Sequence, residues 1–148
     1  GTSAPQSIVC TLVKGDDDEY EKGEKLAKQM YAPVKKSHQV SLENMALLEP
    51  SMVETVGATC VSIMREAMEE VIDRGVPEEA AKDFMLGHAQ IELSIVFGII
   101  NSQFSDAAKQ AIKWSKKEIF QDDWKKVFNE DKLKENLEIM LHSDEKTE

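Results

Sequence analysis

Cysteine is nearly absent from this chain, positive charge is outnumbered, and no long hydrophobic run occurs. The two cysteines, Cys10 and Cys60, lie far apart within apolar stretches. That spacing excludes a disulfide framework and predicts two small buried hydrophobes in a reducing compartment. Lys and Arg number 18 against 28 Asp and Glu, a formal net charge of −10. Such a surface excludes nucleic acid as a partner, because phosphate binding needs a basic face. No segment reaches about 18 uninterrupted apolar residues, so no membrane span is expected. The leading GTSAPQ lacks the charged-then-apolar pattern of a signal peptide, and the cytoplasm is the expected compartment. Neither GxGxxG, a phosphate loop, CxxC nor HExxH is present, and no repeat or low-complexity tract is visible.

What is present reads as one globular domain's worth of chain. The 148 residues are 41% hydrophobic and 31% charged, enough for a core. SIVCTLV (residues 7 to 13) is a short β-branched apolar run ended by Lys14-Gly15, as in a buried strand. Asp16 to Asp18 supply an N-cap and first-turn acids for a helix through EYEKGEKLAKQMY, which Pro33 stops. VKKSHQV then offers a second extended segment. The first forty residues thus read as β-α-β, and a lone pair of strands is marginal unless it joins a larger sheet.

From Ser41, a plausible N-cap, the pattern turns helical. Met45, Leu48, Met52, Val56, Cys60, Ile63, Met64, Ala67 and Val71 recur at threes and fours up to Arg74, with Gly75 as the C′ residue. Pro50 interrupts this pattern and predicts a kink or a short lead-in helix. Straight, the stretch would span on the order of 50 Å. A chain of this size makes a globule about 40 Å across. The helix therefore bends or projects into a partner. A second long helix restarts at Val76-Pro77-Glu78-Glu79 and is expected to run to about Ile100. Its end, ELSIVFGII, is apolar nearly all round, which predicts a homodimer seam or burial within one bundle. Shorter helices are expected near 105–118, capped by Ser105 or Asp106, 122–129, capped by Asp122, and 130–141. Residues 143 to 148 should fray. Trp114 and Trp124 are expected to pack the terminal helices onto the core. Gly57 and Gly98 read as helix-interior glycines at close crossings. The fold class is mainly α: a helical bundle with two long central helices, preceded by a short β-α-β remnant.

The candidate chemistry lies in polar residues set among apolar ones. LLEPSMVETVGATC carries Glu49, Ser51, Glu54, Thr55 and Thr59, and LGHAQIELSIVFG carries His88 and Glu92 four apart. Glu49 and Glu54 are five apart, about 140° off on an ideal α-helix. An irregularity at Pro50 that accommodates an extra residue would bring them closer. Carboxylates near an imidazole suit a divalent metal or a general acid/base site. The plainer alternatives are solvent-facing or Lys-paired glutamates and a satisfied internal histidine. His38 and His142 fall in loop and tail positions.

QSIVCTLVKGDDDEYEKGEKLAKQMY together with SLENMALLEPSMVETVGATCVSIMREAMEEVIDRGVPEEAAKDFMLGHAQIELSIVFG resembles the C-terminal part of phosphogluconate-dehydrogenase-like oxidoreductases. These belong to the 6-phosphogluconate and 3-hydroxyacid dehydrogenase superfamily, and some relatives act as oxidoisomerases on branched sugar acids. LEPSMVET and GHAQIEL carry most of the specificity. The resemblance implies that residues 1–40 end a Rossmann-like domain and that 41–148 form a helical substrate-binding and dimerisation domain. It implies NAD or NADP in the full-length family, a sugar-acid or hydroxy-acid substrate, and a homodimer. Catalytic roles would fall to His88 and Glu54, and substrate contacts to Glu49, Ser51, Thr55 and Glu92. The catalytic lysine that many members carry near the start of the long helix has no counterpart here. The acids look more like the metal-binding acids of ketol-acid reductoisomerases, so a divalent metal is also implied. The glycine-rich turn would lie before residue 1, so this chain alone is not expected to bind the dinucleotide. The alternative function is a non-catalytic helical homodimerisation module.

Overall fold

The computed structural model describes residues 4–142, so the expected fraying of 143 to 148 lies outside the described residues. The protein is mainly α and divides into two compact units, one reaching to Thr55 and resuming at Phe128, the other Val56–Val127.

The first unit opens with β1 (Gln6–Cys10), α1 (Asp17–Met30) and β2 (Val34–Gln39). The strands pair in parallel, with Ile8 opposite Ser37 and Cys10 opposite Gln39, and a register shift between Gln6 and Ser7. The expected β-α-β unit is therefore present. Its first strand stops at Cys10 rather than Val13, because the partner strand stops at Gln39, and Val13 is 74% exposed. The Asp16 carboxylate accepts from the Glu19 N–H and the Glu19 carboxylate from the Asp16 N–H, both at 3.0 Å, closing a capping box at the start of α1. Against the strands, the Cys10 Sγ lies 3.8 Å from the Ser37 Oγ. The Glu24 carboxylate is held below the usual range by hydrogen bonds from Lys28 and Ser37. Burial, then the nearby Glu24 charge, pushes the Tyr20 phenol up, and its buried hydroxyl has no partner among the described residues.

Ser41 caps α2 (Leu42–Ala46) through the Asn44 N–H, as its sequence position predicts. The chain then runs as a π-helix over Leu47–Ala58 before α3 (Thr59–Asp73). This is the irregularity expected at Pro50. The first unit closes with α6 (Glu130–Leu141).

The second unit holds α3, α4 (Glu78–Val96), α5 (Asp106–Ile119) and most of a 3-10 turn over Trp124–Phe128. At the end of α3 the Val76 N–H reaches the Val71 carbonyl and the Gly75 N–H the Ile72 carbonyl, with Gly75 at φ +99°. That is a Schellman closure around the expected C′ glycine. The same closure ends α4 four residues earlier than Ile100. Here the Ile99 N–H bonds the Ser94 carbonyl, the Gly98 N–H bonds that of Ile95, and Gly98 has φ +66°. Gly98 is thus a stop signal rather than an interior glycine at a crossing, and Gly57 is exposed. Ser105 caps α5 through the Ala108 N–H. Asp122 caps no α-helix, because the turn that follows is 3-10 and starts with the Trp124 N–H on the Gln121 carbonyl. Trp114 does not pack onto a core; it is 65% exposed.

Among the described residues Met68 and Ala81 are the buried hydrophobic ones, whereas Phe84, Phe97 and Ile99 are 70–73% exposed. Cys10 and Cys60 are free and half-buried. No helix among the described residues is long and apolar enough to cross a membrane.

Candidate functional site

In the first unit the candidate residues sit on the π-helix. Pro50 has no N–H to give, so the backbone cannot keep an unbroken α-ladder through it. A π-helix brings residues five apart into register, where an α-helix would turn them away. The Thr55 hydroxyl accordingly donates to the Pro50 carbonyl, five residues back, at 2.5 Å. Glu49 and Glu54 are the pair one step behind in the same spacing, and both are exposed. Ser51 points inward: it is 1% exposed, and its hydroxyl has no partner among the described residues. The residue that sequence reasoning missed is Asn136 on α6. Its amide donates to the Thr55 Oγ1 at 2.7 Å and to the Pro50 carbonyl at 3.3 Å.

In the second unit His88 and Glu92 line one open cleft of about 880 Å³, whose other walls include Met64, Met68, Phe84 and Ile119. Glu92 also borders a neighbouring cleft of about 340 Å³ with Leu93 and Phe104. Both polar residues are exposed, not buried in an apolar helix as their neighbours suggest. The His88 Nδ1 lies 2.9 Å from the Phe84 carbonyl, and the two rings stack at 4.1 Å between centroids. A carbonyl only accepts, so Nδ1 carries a proton, and the tautomer this fixes leaves Nε2 as the nitrogen that can exchange one. That orientation comes from Phe84, one turn back, not from Glu92.

The family of phosphogluconate dehydrogenase (decarboxylating) C-terminal domains matches residues 1–141. The chain belongs to that family. Relatives include D-apionate oxidoisomerases from Cupriavidus necator, 44% identical over 137 residues and 93% of this chain, and from Blautia hydrogenotrophica, 39% identical over 97% of it. The chain spans about half the length of each, 50% and 51%. A solved structure, a semialdehyde dehydrogenase NAD-binding protein from Cupriavidus necator in complex with calcium and NAD, superposes with a TM-score of 0.89. It is 43% identical, and the match covers 92% of this chain and 49% of that one.

The residues of this chain do not fit a dinucleotide at its own strand-to-helix turn. A pyrophosphate there would need a bare helix N-terminus behind a glycine-rich loop. The N-terminus of α1 instead begins with Asp16, Asp17 and Asp18, and its backbone donor at Glu19 is already taken by the Asp16 carboxylate. Nor do three or more His, Cys, Asp or Glu side chains converge as a metal would require among the described residues.

Proposed function

We propose that this chain is the substrate-binding and dimer-forming part of an NAD(P)-dependent oxidoreductase or oxidoisomerase acting on a sugar acid, with D-apionate as the first compound to try. In this reading residues 1–40 complete a Rossmann-like domain, residues 41–148 carry the substrate side, and the cell compartment is the cytoplasm. The observation that carries it is the exposed His88, held by Phe84 so that Nε2 is free to accept, on the same cleft as a carboxylate. His88 takes or returns the proton of a substrate hydroxyl, as a general base or acid. Within the second unit Glu92 holds a substrate hydroxyl beside His88; within the first, Glu54 is the proton-handling group and Glu49 a hydroxyl contact. Ser51, buried, and Thr55, half-buried, back the Glu49–Glu54 segment within the first unit. Hydride chemistry would be supplied by a nicotinamide held outside this chain.

The exposed apolar faces of α4 support a homodimer. In this reading a second copy covers exposed apolar residues at the end of α4 such as Val96 and Phe97. The same faces favour the second reading, a helical homodimerisation module without catalysis. The deciding experiment joins this chain to an NAD-binding half and measures NAD reduction with D-apionate and related hydroxy acids. Turnover that disappears in His88→Ala, with dimerisation retained, supports the enzyme. A well-folded dimer that neither turns over nor is stabilised by any sugar acid favours the module.

A further inference from the structure

We propose that Asn136 is a positioning residue: it fixes the π-helical geometry of Leu47–Ala58 and, through it, the alignment of Glu49 with Glu54. The inference rests on the reading that this glutamate pair faces substrate, but its structural half stands separately.

Three observations converge on Asn136. Its amide reaches both the Thr55 hydroxyl and the Pro50 carbonyl, from 81 and 86 residues away in sequence. The Thr55 hydroxyl, accepting from Asn136, itself donates to the same Pro50 carbonyl, so the three groups form a closed triangle. Every polar atom in that triangle is used with correct donor and acceptor roles. Pro50 is buried and the three bonds are half-buried, which partly screens them from water.

The geometry has a direct consequence. A π-helix is less stable than an α-helix and persists where something outside its own backbone holds it. The bond from Thr55 to Pro50 exists only while residues five apart are in register. Asn136 secures that bond from a second element, so the register of the whole segment depends on it. Relaxation to an α-helix would leave Glu54 about 140° round the helix from Glu49. The pair would then cease to face one ligand. Asn136 touches no substrate in this scheme; it acts through Thr55.

The test uses the full-length enzyme and four variants: Asn136→Ala, Thr55→Val, Thr55→Ser and the Asn136→Ala/Thr55→Val double. Amide hydrogen exchange is followed by peptide. The expected result is exchange about tenfold faster over 47–58 in Asn136→Ala and Thr55→Val, with α4 and the strands unchanged. Thr55→Ser, which keeps the hydroxyl, restores protection, and the double variant is no worse than the worse single one. Exchange that rises uniformly, or not at all, overturns the positioning role. KM for the sugar acid is expected to rise in the same variants that lose protection. Locally faster exchange with unaltered KM and kcat leaves the clamp standing and overturns the substrate role of Glu49 and Glu54.

Discussion

The imidazole of His88 lies over the ring of Phe84, with its Nδ1 against the carbonyl of the same residue. One residue thus sets both the tilt of the ring and its tautomer, and the acceptor nitrogen is left for other work. His88→Ala removes an exposed side chain, and substitutions of that kind change stability by only about 0.5 kcal/mol. If His88 moves a proton, the same change lowers turnover of the complete enzyme by about 100-fold or more. Paired kcat and melting-temperature measurements decide the matter; intact turnover with a large melting loss would sink the role.

Tyr20 predicts a gain rather than a loss. Its hydroxyl is buried without a partner among the described residues, and such a group costs free energy to desolvate. Tyr20→Phe removes that cost and keeps the ring, so stability at neutral pH should rise by about 1 kcal/mol. The phenol's pKa is raised, chiefly by burial. Its contribution is therefore constant below the ordinary value of 10.0 and is lost as pH climbs through the raised one. Denaturant midpoints taken through that alkaline range should fall less steeply for the phenylalanine variant.

Glu24 has the opposite sign. Its carboxyl is held below the ordinary 4.5 by the hydrogen bond from Lys28 and then by that from Ser37. Stability from this group is present above 4.5 and drains away as pH falls through the lowered value. Glu24→Gln should melt lower than the parent at pH 7, and the two should converge as the solution is acidified toward about pH 3. A gap that stays constant across the titration would mean that the carboxylate charge contributes nothing.

Local signals in the sequence carried most of the fold. Asp16 and Glu19 at capping-box spacing, Ser41 before an amphipathic run, and Gly75 behind one each act over a few residues, and each produced the element expected. Even the break at Pro50 was legible, because a missing N–H is a property of one residue. Asn136 was not. It stands in EDKLKENLEIML as an ordinary polar position, and its meaning depends on Thr55, 81 residues earlier. The exposure of His88 and Glu92 was not legible for a related reason. An apolar sequence around them suggests burial, yet apolar residues on α4 are themselves exposed in this chain. Burial depends on what a helix faces, and helical spacing reports only that one side is greasier than the other.

Gly98 gives the sharpest local test, because two readings of one residue predict opposite signs. An interior helix glycine replaced by alanine stabilises by about 1 kcal/mol. At φ +66° the residue instead closes α4 in the left-handed region, and an added Cβ would meet no neighbouring atom within 4 Å. Crowding therefore plays no part, and the backbone conformation alone sets the cost, about 1 to 2 kcal/mol for an L-residue. Gly98→Ala should destabilise by that amount, while Gly98→Asn, which tolerates the same region, should cost less. Chemical denaturation of both variants supplies the comparison. A stabilised alanine variant would return Gly98 to the helix interior and extend α4 toward Ile100.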